Sequence, residues 1–427
     1  MRSKVEEVSV VQRAKEAVPM LRFPAFSGKW EKKQIGEIAE IYKGKGVAKG
    51  DISSDGVYQC IRYGELYTVY EEVITDVFSR TSLPSISLFF NEPYDVIIPS
   101  SGEKKEDIAT AACVVPGGIA LGGDLNVLRS RVNGVFLSYY LNGPLRVIIA
   151  RVAQGDSVVH LYPHQIEKLP VSIPSRDEQQ EISDCLSSLD AYIGAEIREL
   201  DALKAHKHGL MQQLFPAEGQ PLPQLRFPRF EGGWRPSRLG DLAEFKKGKG
   251  IAKAEISTNG AMSCIRYGEL YTTYGEVITH VVSRTSVPAH QLFVGETNDV
   301  LIPSSGETKE DIATAACVLS DDVAYGGDLI VIRTKVNGVF LSYLLNGTLR
   351  KSIARVAQGN AVVHLYPAQL AKIDLSVPCT EEQNKIASCL LSIDNLIAAQ
   401  SRKINVSKEH KKGLMQGLFP TMEECAP

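Results

Sequence analysis

Two textures alternate along the chain. Short apolar runs such as Tyr94–Ser100 (YDVIIPS), Leu125–Ser130 (LNVLRS) and Leu169–Pro174 (LPVSIP) are separated by Gly-, Asn- and Pro-rich turns and read as strands. A helix-like run, Val135–Leu141, stops at Asn142-Gly143-Pro144. After Pro174 the spacing changes to 4,3,4,3: Ile182, Leu186, Leu189, Ile193, Glu196, Leu200, Leu203, Lys207, Leu210, Leu214. After Pro378 it changes again: Ile386, Leu390, Ile393, Ile397, Gln400, Ile404, Ser407, Lys411, Leu414, Leu418. A seam held near 3.5 residues predicts coiled-coil-like helices. At 1.5 Å per residue, about 35 residues make a rod on the order of 50 Å long. Ser175-x-x-Glu178 and Thr380-x-x-Gln383 are capping-box signatures at their starts.

The natural partner of each helix is the other, running antiparallel. Both seams carry polar residues at matching steps, Glu196/Gln400 and Lys207/Lys411. Two readings compete: a solvated stretch where the helices splay, or buried polar residues that set the register.

The second organising feature is a repeat. The string CIRYGELYT runs from Cys60 to Thr68 and returns from Cys264 to Thr272. The same offset aligns Leu21–Pro24 with Leu225–Pro228, Trp30 with Trp234, Ile98–Glu103 with Ile302–Glu307, and Gly122–Leu125 with Gly326–Leu329. It also aligns Val158–Pro163 with Val362–Pro367 and Met211–Pro216 with Met415–Pro420, without gaps. A period this long means that each copy is a folded unit, not a stacking element. The layout is an N-terminal arm (1–20), a first mixed domain (21–174) and a spacer helix (175–216). A linker (217–224), a second mixed domain (225–378), a second spacer helix (379–420) and a tail (421–427) follow. The fold class is α+β: two similar mixed α/β domains joined by two long antiparallel helices, pseudo-two-fold overall.

Composition narrows the function. No run approaches the roughly 18–20 apolar residues of a membrane span, and the charged N-terminus is unlike a signal peptide, so the cytoplasm is the default location. Of the eight cysteines, Cys60/Cys264, Cys113/Cys317 and Cys185/Cys389 are repeat-related, and no CxxC occurs. Reduced buried thiols are the reading, with no metal site. The net charge of −3 is unusual for a stand-alone nucleic-acid binder. DNA binding would need local basic patches, or a partner that supplies positive field.

A long spacer fixes a distance and two near-identical heads fix two similar contacts, a geometry suited to half-sites repeating every 34–36 Å or so along a duplex. The residues also carry a resemblance. LRFPAFSGKW…IGEIAEIYKGKG opening a domain, QGDSVVHLYPHQIEKLPVSIPSRDEQQEI closing it, and LDALKAHKHGLMQQLFP ending the helix resemble the specificity (S) subunit of type I restriction-modification systems. The resemblance covers nearly the whole chain in both copies. It implies two target-recognition domains and two methyltransferase subunits clamped on the helices, with optionally two motor-nuclease subunits. It also implies that this chain does no chemistry. It would choose where adenines are methylated at N6, with S-adenosylmethionine and ATP/Mg on the partners and no cofactor of its own. Similar heads imply a nearly palindromic, bipartite double-stranded DNA target; substitutions between the copies argue against strict palindromy. Leu186, Leu189, Ile193, Leu200, Leu203, Leu390, Ile393, Ile397 and Ile404 are the candidate helix-seam and partner-subunit residues.

Candidate DNA contacts come in repeat-related pairs. Glycine-spaced lysines, Lys43/Lys247, Lys45/Lys249 and Lys49/Lys253, suit phosphate. Arg62/Arg266 suit bidentate recognition of guanine, with Tyr63/Tyr267 and Tyr67/Tyr271 against bases or sugar. A structural Arg62–Glu65 pair is an equal competitor. Ser100/Ser304, Ser101/Ser305 and Lys105/Lys309 suit backbone or base-edge contact, and Gln154/Gln358 suit adenine. His160 and His364 read as structural hydrogen-bonders.

The alternative function is a metal-dependent nuclease using Asp95, Glu103 and Lys105 (Asp299, Glu307 and Lys309 in the second copy), a D…ExK-like set whose spacing is short. Asn91–Tyr94 (NEPY) is near an adenine-methyltransferase motif, but the second copy reads GETN and no glycine-rich cofactor loop accompanies it. A third class is a helical adaptor that binds only proteins.

Overall fold

The computed structural model describes residues 18–155, 157–359 and 362–420. Most of the N-terminal arm, the tail 421–427, and Asp156, Asn360 and Ala361 of the Gln-Gly segments lie outside the described residues. The chain forms two compact units, and the division falls inside both long helices. Residues up to Ile197 together with Lys403 onward make one unit, and Arg198–Arg402 make the other.

The first unit is built on a five-stranded sheet in the order Ala39–Lys43, Leu125–Ser130, Asp95–Pro99, Ala112–Val114, Val73–Ile74. Its neighbours are antiparallel except the last pair, which is parallel. The central strand Asp95–Pro99 is buried at every position, as its uninterrupted apolar run requires for a strand covered on both faces. The two-residue side-chain period sends Val96 and Ile98 to one face and Ile97 to the other. Val96 and Ile98 share one buried cluster with Phe136 and Tyr140 of the helix Gly134–Asn142, Ile182 and Leu186 of the first long helix, and Phe419 just past the second. Ile97 meets Ile61, Leu66 and Ile74.

Thus the sequence at the far end of the chain is a core component of the first unit. Phe419 stacks on Tyr140 with centroids 5.0 Å apart and meets Trp30 edge-on at 6.4 Å. The second unit repeats the plan. Val300 and Ile302 pack with Phe340 and with Phe215 from the end of the first long helix, while Leu301 packs with Ile265.

The long helices span Arg176–Gln213 and Thr380–Gly417. Within the first unit Asp190 faces Lys411 and Glu196 faces Lys403, so the two segments run antiparallel. In the second, Lys207 faces Asp394. Among the seam residues Leu186, Ile193, Leu390, Ile393 and Ile404 are buried, whereas Leu189, Leu200, Leu203 and Ile397 are half-buried. Leu186 and Leu390 are buried in domain cores as well as on a helix seam.

Lys207 and Lys411 are not in a solvated splay. Both are sunk between two carboxylates, one from the other long helix and one from a head. Lys411 Nζ lies 2.6 Å from both Asp190 and Glu72, and Lys207 Nζ lies 2.6 Å from both Asp394 and Glu276.

Neither capping box forms as its spacing suggests. Ser175 Oγ accepts the Glu178 N–H at 3.3 Å, but the Glu178 carboxylate accepts two bonds from Arg22, at 2.7 and 2.8 Å, and one from Trp30 at 3.3 Å. The second helix already includes Thr380, and Gln383 donates to the Pro378 carbonyl and accepts the Asn337 N–H. In both cases a long-range partner outcompetes the local one.

Candidate nucleic-acid interface

The loop Leu121–Leu125, with the sequence LGGDL, gathers three motifs that lie far apart in the chain. Gly44 N–H donates to the Leu125 carbonyl at 2.9 Å and Lys45 N–H to that of Leu121 at 2.9 Å. Gly122 N–H donates to the Ile61 carbonyl at 2.9 Å, and Ser100 N–H to the Asp124 carbonyl at 2.8 Å. The lysine loop, the start of Arg62–Thr68 and the Ser100–Ser101 segment are thereby fixed around one backbone hub. In the second head the corresponding bonds run from Gly248, Lys249, Gly326 and Ser304 at 2.8–3.0 Å. The approach at Gly44 tolerates no side chain: a Cβ would fall 2.1 Å from the Gly122 carbonyl oxygen, and one on Gly248 would fall 2.0 Å from that of Gly326.

Three candidates align in a row. Ser101 is opposite His160 in a two-stranded ladder, and His160 is opposite Gln154 in an antiparallel bridge. Directly opposed residues point to the same face, so Ser101, His160 and Gln154 share one. Ser305, His364 and Gln358 repeat the row. The Gln-Gly turn that returns the chain needs its glycine: Gly155 and Gly359 both have φ +116°, with a Cβ falling 2.1 Å from the Val158 or Val362 carbonyl oxygen. His160 and His364 do serve as backbone partners of Gln154 and Gln358. Their rings also stack on Tyr162 and Tyr366, at 6.0 and 6.4 Å.

The CIRYGELYT segment divides its duties. Cys60, Ile61, Glu65 and Leu66 are buried, Arg62 and Tyr67 half-buried, and Tyr63 exposed. Buried Glu65 accepts the Arg62 backbone N–H at 2.7 Å and a bond from the Ser79 hydroxyl. Arg62 Nε lies 3.7 Å from Glu65, an ion pair too long for a hydrogen bond. The pairing therefore leaves the terminal guanidinium nitrogens without a hydrogen bond among the described residues, so the two readings of Arg62 are compatible. In the second head Glu269 accepts from the Arg266 backbone at 2.7 Å and from Ser283.

Tyr67 and Tyr271 donate to the carbonyls of Ser101 and Ser305, at 3.4 and 3.0 Å. Burial pushes both phenols well above their ordinary range, so they tie the segment to the Ser101 and Ser305 strands as neutral donors. Ser100 is buried, while Ser101, Ser304 and Ser305 are half-buried. Lys43, Lys45, Lys49, Lys105 and Gln154 are exposed, as are Lys247, Lys249, Lys253, Lys309, Gln358 and Tyr267. None of these lysines forms an ion pair among the described residues, which leaves their charge for an external anion.

The nuclease-like set does not assemble. Asp95 is buried at the start of the central strand, where Arg129 holds it from 3.0 Å, and it accepts the Glu92 N–H. Glu103 and Lys105 lie beyond the other end of that strand, whose four steps at about 3.3 Å per residue separate its ends by roughly 13 Å. Asp299 is held the same way by Arg333, at 2.9 Å. No group of three or more potential metal-ligating side chains occurs among the described residues. Asn91 of the NEPY string is a turn residue, bonded to Glu92, Pro116 and Ile119.

The type I restriction modification DNA specificity domain model matches residues 27–205 and again 231–407. The chain belongs to the type I restriction-modification DNA specificity family. It is 24% identical over 282 residues to the type I restriction enzyme MjaVIII specificity subunit of Methanocaldococcus jannaschii, covering 62% of this chain and 65% of that relative's own length. Its fold resembles the type I restriction-modification system S subunit from M. genitalium (TM-score 0.60, 16% identity, 95% of this chain and 100% of that one). It also resembles a chain from a structure on complex assembly and conformational transition of the type I R-M system (TM-score 0.56, 16% identity, 92% and 98%).

For this specificity-family chain, sequence reasoning misses two parts of the site. The hub Leu121–Leu125 is visible in the sequence only through the repeated string Gly122–Leu125, and its backbone groups, not its side chains, hold the site together. The place of His160 between Ser101 and Gln154 is likewise hidden. The signal for both is identity between the copies at residues with no core role.

Proposed function

We propose that this chain is the DNA-recognition subunit of a type I restriction-modification complex, and that each head reads one half of a bipartite, nearly palindromic site. The observation that carries the reading is the same cationic and polar surface built twice around the same backbone hub. Unpaired lysines bind phosphate and set position, while Arg62/Arg266, Gln154/Gln358 and their neighbours read base edges. Each correctly read base pair contributes about 1–3 kcal/mol, so two heads multiply discrimination.

Two methyltransferase subunits dock on the long helices, and motor-nuclease subunits join where cleavage occurs. S-adenosylmethionine and ATP/Mg are bound by those partners, and this chain is noncatalytic. The partners also supply the positive field that a net charge of −3 lacks. No helix among the described residues is long and apolar enough to cross a membrane, in keeping with a cytoplasmic complex.

The test is a map of N6-methyladenine in cells carrying the methyltransferase partner, with and without this gene. A gapped motif with two near-identical halves is expected. Two unrelated halves would sink the near-palindrome, and no gene-dependent methylation would sink the function itself.

A further inference from the structure

We propose that the turn Ser85–Ser87 in the first head, and its counterpart Ala289–Gln291 in the second, reads the base position at which the two half-sites differ. The inference rests on the DNA-reading function above and adds the residues that separate one half-site from the other.

The turn belongs to the site. Lys45 Nζ donates to the Ile86 carbonyl at 3.1 Å, and a Cβ on Gly46 would lie 2.9 Å from the Ser87 carbonyl oxygen. It is anchored by Leu88, buried with Val47 and Cys60. Ile86 itself is 85% exposed and has no packing role. An isoleucine presented to water beside the Lys45 ammonium is suited to a ligand with a phosphate next to an apolar spot, which the thymine methyl of the major groove provides.

At this turn three consecutive residues change between the heads, Ser85/Ala289, Ile86/His290 and Ser87/Gln291, while the changes flanking it, Leu83/Val287 and Phe90/Val294, exchange one apolar residue for another. The run Val57–Gln59 changes as well, to Ala261–Ser263. Another group of differences, Asn91/Gly295, Pro93/Thr297, Tyr94/Asn298, Gly117/Asp321 and Gly118/Asp322, lies by the Asp95 end of the central strand. The lysine loop and this turn lie by its Pro99 end, through the pairing of Lys43 with Asn126 and of Asn126 with Ile98. The lysine loop beside it also differs between the heads. Gly46 and Val47 have φ of +71° and +57°, whereas Gly250 and Ile251 are not in the positive-φ region, although both loops read Lys-Gly-Lys-Gly. The second head offers the His290 imidazole in place of the isoleucine and the Gln291 amide in place of the Ser87 hydroxyl, groups that hydrogen-bond to base edges, glutamine to adenine in particular.

The experiment is an exchange made in the full chain assembled with its methyltransferase partner: Ser85→Ala, Ile86→His and Ser87→Gln together, followed by methylation mapping. The wild type is expected to give two half-sites that differ at one position or a few, and the exchange is expected to make the first half a copy of the second there. Ile86→Ala alone is expected to weaken binding to the first half-site about ten-fold, the scale of one base-edge interaction. If the exchanged chain fails to assemble, the reciprocal set, Ala289→Ser, His290→Ile and Gln291→Ser, gives the same decision from the other head. A wild-type gapped motif that survives either exchange unchanged overturns the assignment and leaves the DNA-reading function standing. Identical wild-type half-sites overturn it as well. No methylation by the wild-type complex overturns the DNA-reading function, and this inference with it.

Discussion

Lys411 Nζ lies 2.6 Å from a carboxylate oxygen of Glu72, although 339 residues separate the two in the chain. The same ammonium meets Asp190 at 2.6 Å and sits over the Tyr139 ring, 5.5 Å from its centroid. One buried cation thus joins the head, the first long helix and the second.

Removing that cation leaves two carboxylates facing each other with little solvent. Lys411→Met is expected to destabilise the first unit by about 3–5 kcal/mol, the scale for breaking a buried pair from one side. Urea unfolding of the variant against wild type measures it. The pH dependence follows from the raised Lys411 pKa: burial alone pulls it down, but Glu72 and Asp190 outweigh burial. Its stabilisation is complete below the unfolded lysine value of about 10.4 and is lost as pH rises through the folded one. Lys411→Met should therefore lose part of the alkaline destabilisation seen in wild type.

Arg22 should matter nearly as much. Its bidentate bond neutralises Glu178, which is 2% exposed. Arg22→Ala is expected to cost about 3–5 kcal/mol, and thermal unfolding would show the loss. Arg22→Lys should recover little of it, because a single ammonium cannot reproduce the two-pronged geometry.

Gly44→Ala is expected to disrupt recognition while Gly50→Ala is not. A Cβ on Gly44 runs into the Gly122 carbonyl, whereas one on Gly50 meets nothing within 4 Å, and the second head already has Ala254 there. Equilibrium binding of the assembled complex to its mapped site separates the two variants; equal losses would contradict the hub.

Replacing Lys45 or Lys49 by alanine is expected to weaken binding to all sequences alike. The salt dependence should fall with it, by about 0.9 in the log–log slope for each phosphate no longer neutralised. A change of motif with no change of slope would reassign these lysines to base reading.

Thiol labelling should discriminate the cysteines. Burial lifts Cys60 and Cys264 to about 11, and Cys113 and Cys317 to about 12. With the thiolate as the reactive form, alkylation of the native chain near pH 8 should modify exposed Cys379 well before those four. Mass spectrometry of the labelled peptides reads the order.

Much of the fold can be read from the sequence because its signals are local. The two-residue alternation in the strand Asp95–Pro99, the 4,3,4,3 seams and the repeat each need only neighbours or a fixed offset to be seen. The site is legible as a set of residue types, Lys43, Lys45, Arg62 and Gln154, without the geometry that unites them.

Tertiary structure alone decided what those local signals leave open. It sent Phe419 into the core of the first unit and Phe215 into that of the second. It diverted Glu178 from its capping box to Arg22, because a buried carboxylate is stabilised more by a guanidinium than by one backbone N–H. It turned Lys411 from an apparent flaw in a seam into the meeting point of Glu72 and Asp190. It also used backbone groups of the Leu121–Leu125 loop, the carbonyls of Leu121, Asp124 and Leu125 and the N–H of Gly122, which side-chain chemistry cannot reveal, to assemble the recognition surface. Each of these outcomes depends on which distant groups meet, the aromatic rings at an apolar core and the polar groups in competition for one buried partner, and spacing along a chain does not encode those meetings.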